Sequence, residues 1–358
     1  MKKKKVMTAM SGGVDSSVAA YLLCSQGYEC GGITMKLFGN EMISLSGEHT
    51  CCSERDTEDA RKVAQRLGMP FYIYDFSPLF RKNVVDRFVR AYEQGQTPNP
   101  CVDCNRYMKF GLLYERAAEL GYDRVATGHY ARIAFDEEKD RYLLKKALDP
   151  QKDQSYVLYS MTQEQLSRTL FPLGEMTKVQ VRILAEQCGF SNADKAESQD
   201  ICFIPDGSYA EFIENYTGKE YPPGDFVDGN GDVLGKHRGI IRYTIGQRKG
   251  LGLALKAPGY VCGIDPLRNT VIIGDNSDLF TKKFRVKNVN LISFDRIEGC
   301  ARLKVKIRYR QPEQWASVIQ TGLDLLEVEF DEPQRAITKG QSAVFYDGDT
   351  VAGGGVIC

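Results

Sequence analysis

No stretch of this 358-residue chain approaches the roughly 18 consecutive apolar residues needed to cross a bilayer, so no membrane partner is expected. The basic start Met1-Lys2-Lys3-Lys4-Lys5 has no apolar segment behind it. Val6-Met7-Thr8-Ala9-Met10 runs straight into glycines and an aspartate, which argues against a secretory signal and for a cytoplasmic location. Net charge is missing too: 47 Lys and Arg balance 47 Asp and Glu, so composition alone points to no polyanion. The 11 cysteines lack the even count and regular spacing of a secreted disulfide framework. Cys24, Cys30, Cys188, Cys262 and Cys300 read as small buried hydrophobes. Cys51, Cys52 and Cys358 carry no assigned role.

What remains is an ordinary globular composition, 42% apolar and 26% charged, in a chain too long for one core. The first part alternates strand and helix patterns. Val6–Met10, Gly31–Leu37, Phe71–Asp75 and Arg124–Thr127 read as strands. Ser16–Ser25, Thr57–Leu67, Phe80–Gln94, Phe110–Leu120 and Lys178–Cys188 read as helices. This predicts an α/β fold with a parallel sheet covered on both faces, binding ligands beyond the carboxyl ends of its strands. Ser208 and Glu211 suggest a capping box on a helix ending near Gly218. After Tyr221-Pro222-Pro223-Gly224 the texture becomes β: Tyr260–Ile264, Thr270–Ile273, Arg302–Arg310 and Leu325–Phe330. The expected domains are residues 1–205, a small central linking domain over 206–284, and a β-barrel-like domain over 285–358. Basic residues gather in the second half, from Lys236 to Lys256 and from Lys282 to Arg310. One such run is usually a solvated face, but two in one half favour a polyanion footprint.

Ser11-Gly12-Gly13-Val14-Asp15-Ser16-Ser17 follows the first strand directly. Gly12 and Gly13 let the backbone approach a ligand, and the unpaired N–H groups of the next helix point at an anion. No Lys-Ser/Thr follows, so this is not a Walker loop, and a dinucleotide fingerprint would need a third glycine. The string resembles the pyrophosphate loop of ATP pyrophosphatases, which cleave ATP to AMP and pyrophosphate while adenylating a substrate. Asp15 either sits well at a positive helix end or helps hold Mg²⁺ on the leaving pyrophosphate.

Further along stand Thr97-Pro98-Asn99-Pro100-Cys101-Val102-Asp103-Cys104-Asn105, Ala126-Thr127-Gly128-His129-Tyr130, Lys152-Asp153-Gln154-Ser155-Tyr156, Glu197-Ser198-Gln199-Asp200-Ile201-Cys202-Phe203, Arg308-Tyr309-Arg310-Gln311 and Gly340-Gln341-Ser342. Together these look like the tRNA-specific 2-thiouridylase family, over essentially the whole chain. The resemblance implies ATP-dependent adenylation of the 2-oxo group of the wobble uridine in a tRNA anticodon loop. Sulfur then comes from a cysteine persulfide. It makes Cys104 and Cys202 catalytic, with Cys202 carrying the persulfide and a transient disulfide forming between them. A sulfur carrier protein or cysteine desulfurase would supply the sulfur. It places Ala9, Met10, Ser11, Gly12, Gly13, Val14, Asp15, Ser16, Met35 and Gly128 on ATP. It places Asn99, Pro100, Cys101, His129, Lys152, Asp153, Gln154, Arg308, Tyr309 and Gln341 on tRNA. Cys101 departs from the commonest family pattern, which often has aspartate there. With Cys104 and Cys202 it gives three thiolates, enough for a [4Fe–4S] cluster with one open iron; a redox pair or an incomplete zinc site are the alternatives. The rival function is another pyrophosphate-loop synthetase or sulfur transferase with a different substrate.

Overall fold

In the computed structural model, which describes residues 4–38, 54–195, 201–204 and 207–358, Lys5–Ala9 forms β1, the middle strand of a five-stranded parallel sheet. Cys51, Cys52 and the segment Glu197–Asp200 lie outside the described residues. Val6 and Met7 on β1 are fully buried, as a strand covered on both faces requires. Glu29–Lys36 (β2) and Phe71–Asp75 (β3) extend the sheet to one side. Arg124–Ala126 (β4) and then Thr169–Leu170 extend it to the other. All of these pairings are parallel, as expected.

Val14–Ser25 (α1) and Glu54–Arg66 (α2) cover the sheet. Val18, Ala19, Ala20 and Leu23 of α1 share one core with Ala60, Val63 and Ala64 of α2. Ser77–Phe80 (α3) follows β3. The helix expected from Phe110 in fact starts ten residues earlier, at Pro100. Pro100–Asp103 is α-helical, Cys104–Leu112 is wound as a π-helix, and Leu113–Glu119 returns to α. Leu113 N–H donates to Met108 O, five residues back, which is the π pattern. Sequence periodicity missed this winding, and also missed the hairpin Arg132–Asp136 with Arg141–Lys145.

The chain divides into two compact units. The first holds residues 1–84, 100–207 and 349–352. The second holds residues 85–99, 208–348 and 353–358. In the second, Tyr209–Thr217 is helical and Gly218 closes it at φ +64°, but Ser208 makes no side-chain cap, so the expected capping box is absent. Capping boxes occur instead at Thr162 with Gln165 and at Thr177 with Gln180. A four-stranded sheet is built on Phe226, Tyr243, Val261 and Val271. The chain's last strands form the expected barrel. Phe280–Leu291 pairs with Leu325–Arg335 on one side and with residues 353–357 on the other, which closes the ring.

Some cations of the two basic runs pair with acids, three of them across neighbouring strands. Lys236 pairs with Asp225 at 2.6 Å, Arg242 with Glu214 at 2.6 Å, Lys283 with Glu329 at 3.2 Å and Arg285 with Glu327 at 3.0 Å. Arg302 pairs with Asp331.

Candidate active site

β2 and β3 lie on one side of β1 and β4 on the other, so strand order reverses at β1. The crevice beyond the carboxyl ends of β1 and β4 is where such sheets bind ligands. Residues 10–13 leave β1 there, and Thr127-Gly128-His129 leave β4. A Cβ on Gly128 would stand 2.8 Å from Ser16 N and from Asp15 C, so only glycine lets these two connections touch.

Gly12 has φ +76°, and a Cβ on it would lie 2.1 Å from the carbonyl oxygen of Asp56. Gly13 is the N-cap of α1 without a side-chain cap, which leaves the first-turn amides available to a ligand. The Ser16 and Ser17 hydroxyls donate to Gly13 O at 3.0 and 3.1 Å, and Ser11 N–H donates to Ser16 Oγ at 3.3 Å. Thr34 Oγ1 donates to Met10 O at 2.6 Å, beside Met35, which is buried at the end of β2.

Several residues that sequence reasoning missed hold this loop. Asn192 Nδ2 donates to Gly12 O and to Ser17 Oγ, both at 2.9 Å. Lys195 Nζ donates to Gly12 O at 3.3 Å, to Asp59 at 2.8 Å and to Asp56. Burial lowers the Lys195 pKa, but the two carboxylates outweigh it and the net shift is upward. Asp15 is engaged from two sides. Lys178 Nζ reaches its two oxygens at 2.7 and 2.8 Å, and Tyr130 OH donates to Oδ1 at 2.8 Å. These partners lie 115 to 183 residues from the loop in sequence, and no local pattern signals them.

His129 is buried, with its ring among Phe110 and Phe171. Its Nε2 is 3.3 Å from Lys109 Nζ and its Nδ1 is 2.7 Å from Thr127 Oγ1. An ammonium only donates, so Nε2 accepts and Nδ1 carries the proton, donating it to Thr127. Burial, with Lys109 adding to it, holds the His129 pKa well below the ordinary value of 6.5. The unfolded chain then binds a proton that the folded chain refuses, so stability falls as pH drops from about 6.5 toward the folded value. Thermal melts between about pH 5 and 7 are expected to show this loss, and His129→Gln should reduce it.

Cys104 is half-buried at the first position of the π-helix, and Cys101 is exposed one turn earlier. Asn105 anchors this helix by donating to Val157 O at 3.1 Å. Cys202 is half-buried in a turn whose next residue, Phe203, packs edge-on against Phe80 of α3 at 5.8 Å. α3 in turn packs on the π-helix that begins at Cys104. Among the described residues no three His, Cys, Asp or Glu side chains converge to hold a metal, so Cys101, Cys104 and Cys202 are not assembled as a ready cluster site.

Several residues expected on tRNA are engaged in the protein. Asp153 accepts from Ala147 N at 3.0 Å and from Ser155 Oγ at 2.8 Å, beside half-buried Lys152. Gln154 Oε1 accepts from Tyr130 N at 2.9 Å. In the second unit Arg308 donates to Ala336 O at 3.0 Å and to Thr338 Oγ1 at 2.9 Å. Gln341 donates to Thr97 O at 2.8 Å, steadying the segment that leads to Asn99 and Pro100. Tyr309 is exposed, with Lys306 Nζ 5.7 Å from its ring centroid.

Three family models match in order: the tRNA methyl transferase HUP domain over residues 4–206, the tRNA methyl transferase PRC-barrel domain over 210–275, and the aminomethyltransferase beta-barrel domain over 281–357. The tRNA-specific 2-thiouridylase MnmA of Clostridioides difficile is 50% identical, covering 99% of this chain and 98% of its own. That of Acetivibrio thermocellus is 51% identical over the whole of both. Carrying the glycine-lined loop and the cysteine motifs along a full-length match, this chain belongs to the tRNA-specific 2-thiouridylase family.

Proposed function

We propose that the protein replaces the 2-oxygen of the wobble uridine (position 34) in tRNA with sulfur, consuming ATP and giving 2-thiouridine, AMP and pyrophosphate. The observation that carries this is the meeting of the Gly12–Ser17 loop with Gly128 at the switch point of the sheet, in the unit that also holds Cys104 and Cys202. Residues 1–205 would be the catalytic domain, with 206–284 and 285–358 contributing tRNA contacts. The α1 amides, Ser11 and Ser16 bind the pyrophosphate portion of ATP. Mg²⁺ bound with the ATP would offset the phosphate charge, and Asp15 is the residue that would help hold it. The uridine O2 attacks the α-phosphorus and pyrophosphate leaves. This turns a poor leaving group into one that departs as AMP.

Sulfur arrives as a persulfide on Cys202, delivered by a carrier protein or desulfurase. The Cys104 thiolate attacks Cys202 Sγ, the persulfide S–S bond breaks, and hydrosulfide leaves to attack C2 of the uridine as AMP departs. The sulfane sulfur is reduced and the two cysteines are oxidised to a disulfide, which an external thiol must reduce before the next turnover. An unpaired base in an anticodon loop suits this chemistry, because it can be splayed out of the stack. Tyr309, exposed beside a lysine, suits stacking on such a base.

Incubation with undermodified tRNA, ATP, Mg²⁺ and a sulfur donor, followed by nucleoside mass analysis, is expected to yield 2-thiouridine. Cys104→Ser and Cys202→Ser should lower the yield by about a thousandfold or more, since each removes a covalent step. If both variants keep full ATP-to-AMP turnover with a small carboxylate or purine, the protein is a different pyrophosphate-loop synthetase. Iron and sulfide assays after anaerobic purification address the cluster. Iron-free protein that is fully active would leave the persulfide route as written.

A further inference from the structure

Two lysines contact the phosphate loop in the first unit, and both are neutralised: Lys178 by Asp15, and Lys195 by Asp56 and Asp59. A further lysine, Lys109, is half-buried on the π-helix that begins at Cys104. Its hydrogen bond is to His129 Nε2 at 3.3 Å, and no carboxylate pairs with it among the described residues. The bonding pattern of a π-helix links residues five apart, so Lys109 stands one turn along the axis from Cys104. On its other side His129 follows Gly128, whose Cβ position is 2.8 Å from Ser16 N at the start of α1. Lys109 is thus linked through the π-helix to Cys104, and through His129 and Gly128 to the first turn of α1.

We propose that Lys109 is a further catalytic residue, a cation held by His129 that binds the α-phosphate of ATP and then of the departing AMP. This rests on the adenylation reading of the site and names a contact within it. The geometry carries the idea on charge grounds. A half-buried ammonium facing a neutral imidazole is poorly compensated, and an anion repairs the deficit. Adenylation creates a need for charge at that point, because negative charge grows on the α-phosphate as AMP leaves. The backbone amides of the loop serve the pyrophosphate, and Lys178 and Lys195 are already engaged.

The test compares AMP with adenosine, which share the base and ribose but differ in the α-phosphate. Calorimetric titration of full-length Lys109→Gln is expected to show AMP affinity reduced by about ten- to a hundredfold, the usual worth of one charge-assisted hydrogen bond. Adenosine affinity should stay within about twofold of the parent, showing that the pocket is intact. Lys109→Arg, which keeps the charge, should recover most of the AMP affinity. Equal AMP affinity in parent and Lys109→Gln overturns the proposal, as does a matching loss for adenosine in both variants. The parent protein is assayed for 2-thiouridine in parallel. Absence of that product together with Lys109-dependent AMP binding would sink the functional reading while leaving the phosphate contact standing.

Discussion

Gly12→Ala is expected to abolish tRNA-dependent AMP release, by at least about a hundredfold, even where the chain still folds. The new methyl meets the Asp56 carbonyl at 2.1 Å, and a backbone atom has no rotamer by which to move away. The residue also sits at φ +76°, where a side chain costs about 1–2 kcal/mol. Relief requires α2 to shift from the loop, which pulls Gly12 O away from Asn192 and Lys195. Gly27→Ala is the control. Gly27 has φ +84° with nothing within 4 Å of its Cβ position, so it carries the backbone cost without the collision. Denaturant titration should show a loss of about 1 kcal/mol for Gly27→Ala, with AMP release unchanged. If Gly12→Ala behaves like Gly27→Ala in the AMP assay, the close approach of loop and α2 is not needed for catalysis.

Lys178→Met is expected to cost about 3 kcal/mol in urea unfolding, the lower end of the range for breaking a buried ion pair. The lower end applies because the Asp15 side chain keeps 31% exposure, while that of Lys178 keeps 9%. The loss comes from the carboxylate left behind, which retains the Tyr130 hydroxyl and little else. Adding Asp15→Asn removes that stranded charge, so the double variant should regain more than half of the stability lost. Simple additivity of the two substitutions would show that the pair is solvated in solution and contributes little.

The family was legible without coordinates because its motifs are local. A glycine pair after a buried strand makes an anion cradle wherever the chain goes next, and Gly12 has the positive φ that its identity suggested. Strand and helix periods likewise depend on near neighbours, so the parallel sheet and the terminal barrel followed from the residue pattern. The winding around Cys104 did not, because π and α turns differ by one residue in hydrogen-bond span and the sequence reads as helix for both. Boundary shifts have the same origin: the strand expected over Arg302–Arg310 ends at Lys306, which puts Arg308 and Tyr309 beyond its end.

The sequence by itself determined the chemistry available: an anion-binding loop, nucleophilic thiols and a glycine that ends β4. Only the tertiary structure decided which charges remain for a ligand. Asp15, which the sequence left between a helix-end charge and a Mg²⁺ contact, is held by Lys178 from 163 residues away, and Arg308 and Gln341, expected on tRNA, bond to backbone carbonyls and a threonine. Lys109, which follows the cysteine motif in Lys109-Phe110-Gly111, had no assigned role until its partner proved to be a buried histidine. A residue's type sets what it can donate or accept, but its net charge and reach depend on distant groups that folding brings within hydrogen-bond range.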